Sequence, residues 1–417
     1  MNIWAKFVSA RTGYNVMAKR GLIPMFIMVA VLGFAGTIAA NAGVTAAYDL
    51  HWQALAKKRD CALLGSSYFV LNEATDDTPG GAELWFDARR GSDKTFLKAL
   101  DDFAAKSGHP ELRTVPWCIW GHSGGGIWAD LMTDLYPERV VAVWLRSGCA
   151  AMFRVRKRFP QPDVPQAAYS VPIMCNPGIK EKGNIIWTGS LAIFSEYRAH
   201  SAPIGFAPDP LTGHGCGECR YCAIPFFDAC LAMRLPDKGS NEQKLKPVDM
   251  SKAWLAPLNG DKAVPASSYE GKVEQAVWLP NEQFAKVWME YVKTGFTSDT
   301  TPPPAPTHVK AVHQDAGTIQ ITWRAEADFE SGIGGFIIVR DGKELARLPE
   351  KPIRRFARSL FQAGFTNYYH DTPGYPVPVM CYEDNTIKRG VKYKYAVIAV
   401  NSVGLKSEPA DPIVRGD

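Results

Sequence analysis

The chain has little net charge and no dense basic segment. Its 47 Lys and Arg stand against 42 Asp and Glu, a balance of +5 over 417 residues, and no Lys/Arg block stands out. The electrostatic footprint of a nucleic-acid partner is therefore missing. Cysteine is sparse as well: nine residues, an odd number, scattered along the chain. That excludes a small disulfide-stapled scaffold. Charged residues make up 21% of the chain against 46% hydrophobic, a balance that excludes a disordered protein. The length leaves room for two domains, one of them large.

Charge is absent altogether from residues 21–48, while Lys6, Arg11, Lys19 and Arg20 precede that stretch. Three readings compete for it. With its apolar core from Leu22 to Leu32 and the small residues Ala40-Asn41-Ala42, it fits a signal peptide over residues 1–42, cleaved after Ala42. Its length also fits an uncleaved membrane anchor through residues 21–42. Alternatively, Met25 to Leu32 is a buried first strand of a sheet and Gly33 to Val44 the loop after it. The first two readings imply a secreted, periplasmic or cell-surface protein, where disulfides become feasible.

The most informative stretch is Trp117 to Gly126, where an apolar run ends in Gly121-His122-Ser123-Gly124-Gly125. Ile127, Trp128, Leu131, Met132 and Leu135 follow at helical spacing. Strand, sharp turn and helix in that order make a nucleophile elbow, with the serine in a strained conformation and glycines where strand and helix pass close together. Ser123 is thereby lifted clear at the edge of a sheet. The Gly124 amide, at a helix N-terminus, points toward an oxyanion formed there.

Around the elbow, further segments alternate. Leu50 to Ala56 reads as a helix, Cys61 to Leu71 as a strand, and residues 72–92 as a loop. Ser92 caps a helix with Phe96, Leu97, Leu100, Phe103 and Ala104 on one face. Val140 to Leu145 and Val171 to Cys175 read as buried strands, and Trp278 to Gly295 as a last amphipathic helix. Strands separated by helical segments predict a parallel sheet with both faces covered.

A serine hydroxyl needs a base, and the base an orienting carboxylate. His214 is the best base: it lies in a turn of small residues, Thr212-Gly213-His214-Gly215, after the apolar Ile204 to Ala207. His200 competes from a charged helical segment, and His122, inside the elbow, is expected to point away from the reacting centre. For the acid, Glu181 follows the strand-to-turn run Pro172 to Gly178, with Asp163 and Asp209 behind it. The order Ser, acid, His is then kept. Cys216, Cys219 and Cys222, with Cys230 beyond, have metal-like spacing. The preferred readings are instead one or two disulfides pinning the histidine loop, with Cys149 a further partner, or free buried thiols.

Thr297 to Thr307 changes character, with Pro302, Pro303, Pro304 and Pro306 making a stiff linker. Beyond it Ile319, Ile321 and Trp323 alternate, as do Phe336 and Ile338 before the Asp341-Gly342 turn, and Tyr393, Tyr395, Val397 and Ala399. Short alternating strands predict an all-β sandwich. The proline lead-in, Ile321-Thr322-Trp323, Asp328 with Ser331-Gly332-Ile333, Phe336 to Gly342 and Tyr395 to Gly404 resemble a fibronectin type III domain over residues 302–414. Residues 353–385 read as an insertion, and its aromatic cluster of Phe365, Tyr368, Tyr369, His370 and Tyr375 as packing on itself.

The elbow, the late-strand acid and the histidine loop together resemble the α/β-hydrolase superfamily over residues 48–294. Within it, the helix Trp52 to Ala56 followed by Cys61 to Gly65 is most similar to bacterial exported esterases related to feruloyl esterases and poly(3-hydroxybutyrate) depolymerases. The expected fold class is α/β, a mainly parallel sheet flanked by helices, over residues 43–295. A linker at 296–306 and a fibronectin type III-like sandwich at 307–417 follow. The resemblance implies a serine hydrolase that cleaves carboxylic esters, on a polymer or polysaccharide, with no metal or organic cofactor. It also implies a second oxyanion amide near Gly33 to Gly43. Cleavage after Ala42 would remove that donor, at a cost of roughly 100- to 1000-fold in rate. This motivates the alternative of a non-catalytic secreted binding or adhesion protein that keeps the hydrolase shell.

Overall fold

The computed structural model describes residues 4–9, 14–19, 27–32, 49–66, 85–153, 160–237, 244–314, 317–350, 380–410 and 413–415; up to residue 32, at Ser66 and over 413–415 it describes the backbone alone. These residues fall into two compact units, one drawn from 1–47 and 56–297, the other from 48–55, 298–365 and 372–417.

The first unit is built on an eight-stranded sheet. Its strands are β1 (Trp4–Ser9), β2 (Tyr14–Lys19), β3 (Ile27–Leu32), β4 (Ala62–Ser66), β5 (Trp117–His122), β6 (Val140–Arg146), β7 (Ile173–Asn176) and β8 (Ile204–Phe206). The spatial order is β1-β2-β4-β3-β5-β6-β7-β8. β2 pairs antiparallel with β1 and β4, and every other pairing is parallel. All residues of β5, β6, β7 and β8 are buried. A strand buried at consecutive positions is covered on both faces, which is why these segments read as unbroken apolar runs. The helices of the chain are α1 (Leu50–Lys58), whose residues 50–55 belong to the second unit, α2 (Ser92–Ser107), α3 (Gly124–Leu135), α4 (Ile185–Ala199), α5 (Arg220–Arg234) and α6 (Glu282–Thr294). α3 lies against β5 and β6, α4 against β7 and β8, and α5 against β6. This is the α/β-hydrolase arrangement that the sequence led us to expect.

Residues 27–32 adopt the strand alternative for the charge-free stretch. β3 pairs in register with β4 on one side and with β5 on the other, from Ile27↔Trp117 to Leu32↔His122. Residues 33–48, with the expected oxyanion loop and the Ala42 cleavage point, lie outside the described residues. Among the described residues no helix is long and apolar enough to cross a membrane.

Several local expectations need correction. Ser92 does not cap α2: Gly91, with φ 101°, takes that position, and the Ser92 hydroxyl donates to the Trp85 carbonyl at 2.8 Å and accepts from Trp128 Nε1 at 3.0 Å. Trp278 is not in the last helix. Three further strands, β9 (Trp254–Pro257), β10 (Val264–Pro265) and β11 (Ala276–Leu279), make a small sheet ordered β10-β9-β11, with Trp278 buried in β11. The helix starts only after the Asn281 side chain accepts from the Phe284 amide at 2.8 Å. Of the two readings for the cysteines, the structure takes the second: Cys216, Cys219, Cys222 and Cys230 are buried thiols, and so is Cys149.

The second unit is a β-sandwich. Its strands β12 (Thr307–Gln314), β13 (Thr318–Arg324), β14 (Gly335–Arg340), β15 (Lys343–Leu348), β16 (Cys381–Asp384), β17 (Tyr393–Val400) and β18 (Ile413–Arg415) form two antiparallel sheets. Their orders are β12-β13-β16 and β15-β14-β17-β18. Ile319, Ile321 and Trp323 of β13 face Phe336, Ile338, Tyr395, Val397 and Ala399 in one core. Leu50 is buried in that core, in keeping with residues 48–55 belonging to this unit. The expected insertion is shorter than read, because residues 381–384 pair with β13. Residues 351–379, with the aromatic cluster, lie outside the described residues.

The position of β3 has a direct consequence. A chain beginning at residue 43 lacks β1, β2 and β3 and exposes the unpaired edge of β5. We expect such a protein to lose the cooperative unfolding of the first unit, followed by circular dichroism and limited proteolysis. A native-like melt of residues 43–417 would contradict the strand assignment.

Candidate active site

Ser123 sits between the end of β5 and the start of α3 with φ 55° and ψ −119°, a strained backbone that packing on all sides must hold. The packing is backbone on backbone. A Cβ on Gly121 would lie 2.2 Å from the Gly125 carbonyl oxygen, one on Gly126 would lie 2.3 Å from that of Gly148, and one on Gly148 would lie 2.0 Å from that of Ser123. Only glycine lets β5, α3 and the turn after β6 approach so closely. The Ser123 amide donates to the Arg146 carbonyl at 2.9 Å, which ties the elbow to the end of β6. Gly124 opens α3, so its amide is one of the first-turn donors that a helix leaves without an internal acceptor. Trp85 and Phe86 close over that turn, 3.1 Å and 3.3 Å from where a Gly124 Cβ would be.

Ser123, His214 and Glu181 meet in space. His214 Nε2 is 2.9 Å from Ser123 Oγ, and His214 Nδ1 is 2.8 Å from Glu181 Oε1. With its proton on Nδ1, the imidazole donates to Glu181 and leaves Nε2 to accept from the serine hydroxyl. Glu181 is 2% exposed. Its second oxygen accepts from Ser147 Oγ at 2.7 Å and from the Gly178 amide at 2.9 Å. Burial works to raise its pKa. The bonds from His214, Ser147 and Gly178, with the nearby Arg146 charge, outweigh burial and hold the carboxyl below the usual glutamate range.

The other candidates lie elsewhere. Asp163 is exposed. His200 stacks on Tyr169 with ring centroids 4.0 Å apart, and its Nδ1 is 3.0 Å from the Glu196 carbonyl. Asp209 is buried and binds the Leu211 amide at 2.9 Å. The acid loop and the histidine loop are zipped together: Ile179 N donates to Asp209 O at 2.8 Å, Lys180 N to Thr212 O at 3.1 Å, and Asp209 N to Pro177 O at 2.9 Å. Any side chain at Gly178 would run into the Gly213 carbonyl, 2.1 Å from its Cβ position.

Three residues of the site escaped sequence reasoning. Arg146, the last residue of β6, is fully buried. Its guanidinium donates to Asn176 O at 2.8 Å, Thr212 Oγ1 at 2.7 Å and Gly213 O at 2.9 Å, and to the Gly215 carbonyl through both Nε and Nη2. It therefore holds both flanks of His214. Burial opposes the charge, but Asp209, together with Cys219, Tyr291 and Cys216, outweighs it and Arg146 is raised above the ordinary arginine value. Ser147, with φ 52°, turns its hydroxyl onto Glu181. His122, expected to point away, reaches the histidine loop instead: its Nε2 donates to the His214 carbonyl at 2.5 Å. No local pattern marks Arg146 or Ser147, because they end and follow an apolar strand whose neighbours come from distant segments.

No family model matches the chain, and no curated protein does. Among solved structures, the chain is similar to a dienelactone hydrolase from Anabaena variabilis, at 15% identity over 56% of this chain and 99% of that one, with a TM-score of 0.36. It is also similar to an α/β hydrolase enzyme from a Medee basin deep-sea metagenome library, at 17% identity over 51% and 84% of the two chains, TM-score 0.35. The chain is also similar to an Fn3-like protein from Clostridium thermocellum, at 20% identity over 27% of this chain and 92% of that one, TM-score 0.18.

Replacing Arg146 by methionine fills the volume but leaves the carbonyls of Gly213 and Gly215 without the guanidinium and that of Asn176 with the Ser147 amide alone. Removing one side of a buried charged network costs about 3–5 kcal/mol, and denaturant unfolding should register it. Hydrogen exchange at 212–215 should quicken at the same time. An Arg146→Met protein as stable and as protected as wild type would contradict the role described.

Proposed function

We propose that this protein is a serine hydrolase that cleaves carboxylic esters through an acyl-enzyme. The observation that carries the reading is the continuous hydrogen-bonded line from Glu181 through His214 to Ser123. In the proposed reaction Ser123 Oγ attacks the ester carbonyl carbon while His214 Nε2 takes its proton. The carbonyl electrons move onto oxygen, which accepts from the Gly124 amide. Collapse of the tetrahedral adduct breaks the bond to the alcohol oxygen, and the imidazolium returns the proton to that leaving group. Water then gives its proton to Nε2 and attacks the acyl-enzyme, which releases the acid and restores Ser123. Glu181, kept ionised by its four partners, fixes the imidazole tautomer and stabilises the imidazolium.

The substrate class we favour is an ester of apolar or aromatic groups, carried on a polymer or polysaccharide. Trp85 and Phe86 at the first turn of α3, with Phe153 at 6.2 Å from the Phe86 ring, offer an apolar wall at the elbow turn. The likeness of the sequence to feruloyl esterases and polyester depolymerases supports the same choice. The β-sandwich is of a class that serves as a spacer or binding module.

A fluorophosphonate probe tests the reading. The wild type should label on Ser123 and hydrolyse aryl esters. Ser123→Ala should be silent and slower by about a million-fold, and Glu181→Gln slower by about ten-thousand-fold. A folded wild type that neither labels nor turns over would return the protein to the binding-module reading.

A further inference from the structure

A second chemical feature lies in the β-sandwich unit. Asp299, ahead of the proline run, and Asp328 and Glu330, in the turn before β14, bring one carboxylate oxygen each to within 4.8 Å of one another. Two oxygens bound to one calcium ion lie at most about 5 Å apart, since each sits 2.3–2.6 Å from the metal. Asp328 is 4% exposed. Its Oδ1 accepts from the amides of Ser331 at 2.7 Å and Gly332 at 3.3 Å, whereas its Oδ2 is buried with no hydrogen-bond partner. A buried carboxylate oxygen without a hydrogen-bond donor, beside two more carboxylates, is costly unless a proton shared with Asp299 or a bound cation satisfies it. Among the described residues no Lys, Arg or His forms an ion pair with any of the three.

The surroundings hold the carboxylates in position. Asp299 Oδ1 accepts from the Thr301 amide at 2.8 Å, and its Oδ2 accepts from Ser331 Oγ at 2.6 Å and Asn401 Nδ2 at 2.8 Å. Asn401 Nδ2 also donates to the Thr301 carbonyl at 3.1 Å. The lead-in to the prolines is therefore already bonded to the turn and to the end of β17, and the cluster sits at their junction. The donors are all hard carboxylate oxygens with no thiol or imidazole among them, the set that suits calcium and not zinc or copper.

We propose that Asp299, Asp328 and Glu330 bind one calcium ion, which fastens the chain ahead of the proline run onto the β-sandwich. Binding at such a site stabilises the fold that presents the ligands. The proposal is independent of the hydrolase reading, and its test does not use turnover.

The full chain, stripped with a chelator and dialysed, is titrated with calcium chloride by calorimetry and melted with and without the ion. One site with a Kd between about 10⁻⁶ and 10⁻³ M is expected, together with a rise in the melting temperature of the sandwich. Asp328→Asn keeps an acceptor for the Ser331 and Gly332 amides, and Glu330→Gln alters a half-buried side chain, so both should fold. Each should weaken binding by about tenfold or more. Absence of heat and of any melting shift at millimolar calcium would overturn the proposal. So would undiminished binding in both variants, or magnesium binding as tightly as calcium.

Discussion

The candidate site depends on one buried charge. A guanidinium cannot shed its proton, and inside a protein it must find acceptors for its rigid fork of donors or raise the energy of the fold by several kcal/mol. Arg146 finds them at the end of one strand and in one loop: Asn176 at the end of β7, and Thr212, Gly213 and Gly215 around His214. The loop that carries the imidazole is thus not free to wander. Moving it would strip hydrogen bonds from a cation that has no water to replace them. The same charge adds to the bonds from His214, Ser147 and Gly178 that hold Glu181 ionised, so one side chain both positions the His214 loop and favours the charged carboxylate.

The second constraint is steric, and it complements the first. Gly121, Gly126 and Gly148 bring three main-chain segments to contact distances that no Cβ permits. That contact holds Ser123 at its positive φ and aims its hydroxyl past the end of β5. In a parallel sheet the C-terminal strand ends open onto one edge, where loops can converge without disturbing the core. Ser123 follows β5, Arg146 and Ser147 close β6, and Asn176 closes β7 with Glu181 in the turn beyond. His214 lies in the loop after β8. Four neighbouring strands each supply one part, which makes the site a property of the sheet order.

How much of this was legible in the sequence follows from range. The elbow is local: strand, strained turn and helix are written in ten consecutive residues. Glu181 and His214 could be chosen because late strands followed by small-residue turns are also local signals. The sandwich strands announced themselves by strict alternation, as in Ile319, Ile321 and Trp323. What stayed hidden depends on partners far along the chain. Arg146 reads as the polar end of an apolar strand until Gly213 and Gly215 come beside it. Ser92 has the chemistry of a cap, yet its hydroxyl is taken by Trp85 and Trp128. The charge-free stretch around residues 27–32 was ambiguous because a central parallel strand and a leader's apolar core have the same composition, and only pairing with β4 and β5 separates them. The cysteine spacing suggested bonds, but Cys222 and Cys230 are packed as small apolar side chains in α5, and burial pushes both thiols up.

The account stands on an imidazole clamped between a buried carboxylate and a serine hydroxyl. Proton NMR of the folded protein reads that clamp directly, because an Nδ1 proton shared with a carboxylate resonates far downfield of the amide envelope. We expect one such signal from His214, retained in Ser123→Ala and lost in Glu181→Gln. A folded protein with the signal absent, or unaltered when Glu181 is replaced, would contradict the clamp and the chemistry built on it.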